Sequence, residues 1–153
     1  MGRIKYLVMD VDGTLTDGKI YMSSTGEAMK AFNIKDGCGI HDILIPNSII
    51  PIIITGRESE IVLKRCNELG ITKVYQGVKD KLQKLVLVAD ELSLVAYIGD
   101  DINDLSCMLR VKEAGGIIGC PAPLLRTAQV VVVATCVRTS AGAGKTCLAV
   151  ALS

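Results

Sequence analysis

The sequence predicts an α/β fold built on a mostly parallel sheet with helices on both faces, and three observations carry that prediction. Short, nearly uninterrupted apolar runs recur along the chain, YLVM, IPIIIT and LVAYIG, as strands buried on both faces require. Segments with helical apolar spacing lie between them, so strand and helix alternate. A polar motif, DVDG, TGR or GDD, closes each run, and sites in parallel α/β sheets lie at the carboxyl ends of the strands.

Taken in order, residues 4–9 (IKYLVM) form the first buried strand, which ends at Asp10. Residues 19–22 (KIYM) and 28–32 (AMKAF) flank the polar stretch SSTGE and predict a hairpin. A helix begins over 40–45 and is cut short by Pro46. IPIIIT (50–55) is the second buried strand. ESEIVLKRCNELG (58–70) is an amphipathic helix with Ile61, Leu63, Cys66 and Leu69 among its apolar positions and Gly70 as its stop. A short strand near 73–75, a helix over about 80–91, a long strand at 94–99 and a helix over 102–115 follow, with GGIIG and VVVVAT as further strands.

At 153 residues and 50% hydrophobic, with mean hydropathy +0.43, the chain fills one core and is short for two domains. Residues 1–153 are therefore read as one domain, with a hairpin at about 19–32 and a distinct C-terminal tail at about 135–153. Seventeen basic and sixteen acidic residues leave a net charge of +1, which argues against nucleic acid or an anionic membrane as partner. The start, MGRIKYLVMDVDG, has no signal-peptide pattern, and the apolar stretch 43–54 is interrupted by Pro46, Asn47, Ser48 and Pro51. A cytoplasmic location is expected. The six cysteines, 38, 66, 107, 120, 136 and 147, have no CxxC pairing and read as reduced core residues; His41 is the only histidine.

The chemistry concentrates in the carboxylates. Asp10 and Asp12 flank Val11 before Gly13; Asp100 and Asp101 close a second strand, and Asp104 follows one helical turn later. Four or five converging carboxylates repel unless a hard cation or a proton compensates, and oxygen-only ligation favours Mg²⁺ over zinc. A carboxylate beside such a cation can attack phosphorus, and a second Asp two residues away can move the leaving-group proton. Thr55 of TGR and Lys81 complete a phosphoryl-transfer set, with Lys79 competing for the same role. Each motif alone has an ordinary explanation: DxDG as a solvated turn, TGR as a strand exit, GDDIND as an acidic helix start. Their ordered recurrence at strand ends is what carries the reading.

DVDGTLTDG, TGR, Lys81 and GDDIND resemble the haloacid-dehalogenase (HAD) superfamily of phosphohydrolases. The stretches TDGKIYMSSTGEAMKAFNIKDG, TGRESEIV and VYQGVKDKL resemble its cap-less branch, which hydrolyses octulosonate 8-phosphate and nonulosonate 9-phosphate. The resemblance implies a Rossmann-like core with a small β-hairpin insertion and no large cap domain. It further implies a magnesium-dependent phosphomonoesterase for a 2-keto-3-deoxy sugar-acid phosphate, working through an aspartyl-phosphate. Asp10 would be the nucleophile and Asp12 the acid/base. Mg²⁺ would be held by Asp10, the Asp12 backbone carbonyl and Asp100, with Asp101 and Asp104 in support. Thr55, Gly56 and Lys81 would contact phosphate, and Asn103 would shape the acidic loop. Arg57, with Lys30, Phe32, Asn33, Lys35 and Asp36, would face the sugar acid. The branch also implies a homotetramer, with the hairpin and a neighbour's C-terminal loop shaping each mouth.

This chain departs from the branch at Pro46, in a short helix after Lys81, and in its tail. From Val130 onward Arg138 and Lys145 are its only charged residues, and SAGAGKT (140–146) stands where the branch carries a glycine-rich loop followed by Arg-Glu. GAGKT also suggests a phosphate-binding P-loop, but Thr139 occupies the first required glycine position, and an apolar C-terminal helix is the simpler assignment. A less selective small-metabolite phosphatase, a phosphoacceptor domain and a non-catalytic oligomerisation module are the competing functions.

Overall fold

The computed structural model describes residues 4–121. The strand expected at VVVVAT, the SAGAGKT segment, the tail, and Cys136 and Cys147 lie outside the described residues.

Five parallel strands form the central sheet: β1 (Tyr6–Met9), β4 (Ile50–Ile54), β5 (Lys73–Tyr75), β6 (Val95–Ile98) and β7 (Ile117–Gly119), in the order β5-β4-β1-β6-β7. Between β1 and β4 the chain makes an antiparallel hairpin, β2 (Tyr21–Ser23) and β3 (Gly26–Met29), and a helix α1 (Ile34–Cys38) that continues as a wider π-helical stretch, Gly39–Leu44. Helices α2 (Glu60–Glu68), α3 (Lys81–Val88) and α4 (Ile102–Glu113) connect the remaining strands. The expected alternation and the hairpin are both present. The helix expected over 40–45 instead starts at Ile34, where the Asn33 side chain accepts the Lys35 N–H and caps it. The helical run passes through Asp36-Gly37-Cys38-Gly39, whose two glycines have weak helix propensity. A Cβ at Gly37 would stand 2.5 Å from Arg65 Nη2, so a larger residue there would displace the Arg65 side chain.

Side chains on β1 alternate between two cores, as the two-residue period of a strand dictates. Tyr6 and Val8 join Ile52, Ile54, Leu85, Val95, Tyr97 and Val111 under α3 and α4. Leu7 and Met9 join Ile40, Leu44, Ile53, Val62 and Cys66 under α1 and α2. Cys66 and Cys107 are core residues as expected, whereas Cys38 is exposed. No helix among the described residues is long and apolar enough to cross a membrane.

The strand order sets the position of the site. From β1 the chain builds outward through β4 to β5, then returns across β1 to lay down β6 and β7. Loops leaving β1 and its neighbours therefore diverge, and a crevice opens at the carboxyl end of β1. Leu85 is fully buried where α3 meets the sheet. Leu85→Ala is expected to cost ~2–5 kcal/mol of stability through the cavity it leaves, read from the urea midpoint.

Candidate active site

Asp10 leaves β1 at the crevice and is only 5% exposed. Lys81, 7% exposed at the first turn of α3, donates to Asp10 Oδ1 at 2.9 Å and to Asp104 Oδ1 at 2.8 Å. The second contact fixes α4 as well. Asp104 is completely buried; its Oδ1 also accepts from the Tyr97 hydroxyl at 2.7 Å, and its Oδ2 from the Asp101 backbone N–H at 3.3 Å. Asp101 in turn caps α4, its carboxylate accepting the Ile102 N–H at 2.6 Å, so Asp101 and Asp104 form a capping box. The two readings of GDDIND, helix start and acidic site, are thus both true, divided among its residues. Lys79 is exposed, and it is Lys81 that enters the site.

Asp100 faces Asp10 from the end of β6. One carboxylate oxygen from each of Asp10, Asp100 and Asp104 lies within 4.8 Å of the other two. Thr14, from the loop after Asp12, donates to Asp100 Oδ1 at 2.9 Å. This close approach explains Gly13: its φ is +96°, and a Cβ there would sit 1.9 Å from Asp100 Oδ2. Three carboxylates and one ammonium leave a half-buried excess of negative charge. Burial, followed by repulsion from Asp10 and Asp104, pushes the Asp100 carboxyl up to about 6 against the Thr14 hydrogen bond. Burial raises Asp10 too, although Lys81 opposes the shift. For Lys81, burial lowers the value, but its hydrogen bonds to Asp104 and Asp10 prevail and the net shift is upward. Excess charge with oxygen-only donors fits a hard divalent cation. Asp10 and Asp100 are the side chains suited to hold it, because Asp104 already accepts from three donors.

Asp12 turns away from this cluster toward the hairpin. Lys30, just beyond β3, donates to Asp12 Oδ1, and Arg57 Nε lies 3.8 Å from Asp12 Oδ2. Lys30 also pairs with Glu27 Oε1 at 3.0 Å; Glu27 accepts from the Ser59 hydroxyl and lies 3.7 Å from Arg57 Nη2. Glu27, Ser59, Thr14 and Tyr97 were absent from the sequence reading. Glu27 gave no signal in the sequence, because its pairing with Lys30 arises where the chain leaves β3.

The other expected site residues are distributed around this centre. Thr55 directly follows β4, is 3% exposed, and exchanges backbone hydrogen bonds with Tyr75 and Val78; Gly56 and Arg57 follow it on the exposed rim. Asn103 donates to Asp101 Oδ2 at 3.1 Å and so braces the acidic loop. Phe32 packs on the α1–α2 core with Arg65 over its ring, and together with Asn33 and Asp36 it lines a small cavity there. Asn33 uses its side-chain oxygen as the α1 cap, and Lys35 is exposed on the same helix.

A comparison with models of known families matched none. Individual proteins do match. The 3-deoxy-D-manno-octulosonate 8-phosphate phosphatase KdsC of Yersinia pestis is 46% identical over 112 residues, covering 71% of this chain and 59% of the relative. The crystal structure of the Yersinia pestis phosphatase superposes with a TM-score of 0.70 at 42% identity, over 82% of this chain and 70% of that one. That of the Moraxella catarrhalis phosphatase, in complex with magnesium, phosphate and the sugar acid KDO, gives 0.68 at 48%, over 75% and 67%. The chain thus spans about 59% of the length of the curated relatives it matches. The core is that of the HAD superfamily in its cap-less form. Within it, this chain belongs to the family of 3-deoxy-D-manno-octulosonate 8-phosphate phosphatases.

The Asp100 shift has a sign that can be checked without metal. Its folded-state value of about 6 lies above the ordinary 3.8, so the folded chain holds this proton more tightly than the unfolded chain does. The stability it contributes is full below about pH 4 and is lost as pH rises to about 6. In EDTA, the urea midpoint of Asp100→Asn should therefore rise relative to wild type between pH 4 and 7, and a pH-independent difference would contradict it.

Proposed function

We propose that this chain is a magnesium-dependent phosphomonoesterase acting on a 2-keto-3-deoxy sugar-acid phosphate, octulosonate 8-phosphate or nonulosonate 9-phosphate, through an aspartyl-phosphate. The observation that carries the reading is the buried Lys81 ammonium on Asp10 with Asp100 opposite. The magnesium, phosphate and KDO held by the Moraxella catarrhalis relative support both cofactor and substrate class.

In this reading Asp10, Asp100 and the Asp12 backbone carbonyl hold Mg²⁺. When bound, the ion offsets charge on the phosphate oxygens and on the carboxylates that face them. Asp10 attacks phosphorus; the new Asp10 oxygen–phosphorus bond forms as the ester P–O bond breaks. Asp12 gives its proton to the departing sugar oxygen. In the second half, water attacks the aspartyl-phosphate, the electron pair of the broken bond returns to Asp10, and the water proton goes to Asp12. Lys81, Thr55 and Gly56 hold the phosphoryl oxygens. Arg57, on the rim, offers a cation to the sugar-acid carboxylate. A homotetramer is part of the reading, and the exposed Ile20, Met22 and Met29 of the hairpin give it an apolar face.

The test is magnesium-dependent phosphate release from octulosonate 8-phosphate, nonulosonate 9-phosphates and simple sugar phosphates. Wild type should prefer one sugar-acid phosphate and lose activity in EDTA, and Asp10→Asn should lower kcat by more than ~10⁴-fold. Release from every phosphate alike would support a broad metabolite phosphatase. Activity retained by Asp10→Asn would remove Asp10 as nucleophile.

A further inference from the structure

The hairpin carries a charged pair that the proposed chemistry leaves unused. Lys30 has a side chain only 2% exposed, yet it stands at the end of a two-stranded hairpin outside the main sheet. A lysine buried to that degree needs charged partners. It has two: Asp12 Oδ1 and, at 3.0 Å, Glu27 Oε1. Glu27 is itself fixed by the Ser59 hydroxyl at the start of α2 and flanked by Arg57. The chain Ser59–Glu27–Lys30–Asp12 therefore joins the loop after β4 to the loop after β1 through the hairpin.

Resting on the phosphatase reading above, we propose that Lys30, held in place by Glu27, is a positioning residue for Asp12 in the water-attack half of the reaction. An ammonium has only protons to offer, so the Asp12 oxygen it meets must accept. Lys30 thereby anchors Oδ1 and leaves Oδ2 as the oxygen that takes the proton from water. In that step the water oxygen bonds to phosphorus, the bond from phosphorus to Asp10 breaks with its electron pair returning to the Asp10 carboxylate, and the water proton moves to Asp12 Oδ2. Without Lys30 the Asp12 carboxylate keeps only the longer approach of Arg57 at 3.8 Å, and a misplaced base loses much of its ~10²–10⁴-fold contribution.

The half-reactions separate with p-nitrophenyl phosphate in Mg²⁺, because its leaving phenolate needs no proton. For Lys30→Met, the phosphoenzyme should form normally and hydrolyse slowly. Stopped-flow should then show a burst of about one p-nitrophenolate per chain and a kcat reduced ~10–100-fold, with KM falling in parallel so that kcat/KM changes less than ~3-fold. Acid-quenched protein should carry phosphate. Lys30→Arg should restore kcat, and Glu27→Gln, which leaves Lys30 in place without its anchor, should show a smaller loss of kcat with the same split. Should Lys30→Met fail to fold, the Glu27→Gln split decides the matter. An equal fall in kcat and kcat/KM with no burst, or no change in any variant, overturns the proposal while leaving the phosphatase reading intact. No magnesium-dependent hydrolysis by wild type overturns both.

Discussion

The architecture of the site depends on one buried ammonium. Lys81 bridges Asp10 and Asp104, both almost out of contact with solvent. Removing an ion from water costs several kcal/mol even after relaxation, so ions buried this deeply need a partner of opposite charge. Asp10 comes from the end of β1, Asp104 from the first turn of α4, and Lys81 from the first turn of α3. A single cation thus fixes the relative placement of three elements that meet at the carboxyl end of the sheet.

The sheet makes that junction possible. Because β1 lies at the centre, with β4 on one side and β6 on the other, its carboxyl end is the one place where loops from both halves of the fold converge. The approach is close enough to exclude a Cβ at two points. At Gly13 it would strike Asp100, and at Gly99 it would stand 2.4 Å from Asp104 Cγ. The glycine of DVDG is therefore required by the approach of two acidic loops, and that of GDD by the fold-back of Asp104 within its own loop.

Much of this was legible in the chain. Strand positions followed from YLVM, IPIIIT and LVAYIG because strands buried on both faces leave little room for polar residues, and the main carboxylates followed from their place just beyond those runs. Lys81 could be chosen only with the resemblance, since Lys79 has the same composition context; the structure separates them by burial. The α1 start at Ile34 was hidden by Gly37 and Gly39, whose local preference against helix is offset by the Asn33 cap. The Glu27–Lys30–Asp12 network was hidden for a different reason. It depends on where a hairpin folds back onto a distant loop, which no periodicity records.

The double use of Asp104 carries a dynamic consequence. Its Oδ2 closes the capping box of α4, while its Oδ1 receives Lys81 and Tyr97. Fraying of a first helical turn is ordinarily a local event of low free energy. Here the first turn cannot open without withdrawing a carboxylate from the buried ammonium, so the end of α4 is held at the rigidity of the core. Amide hydrogens at that turn are therefore tied to the opening of the Asp10 site, and slow exchange at a helix terminus would report on the integrity of the charge cluster without any substrate being present.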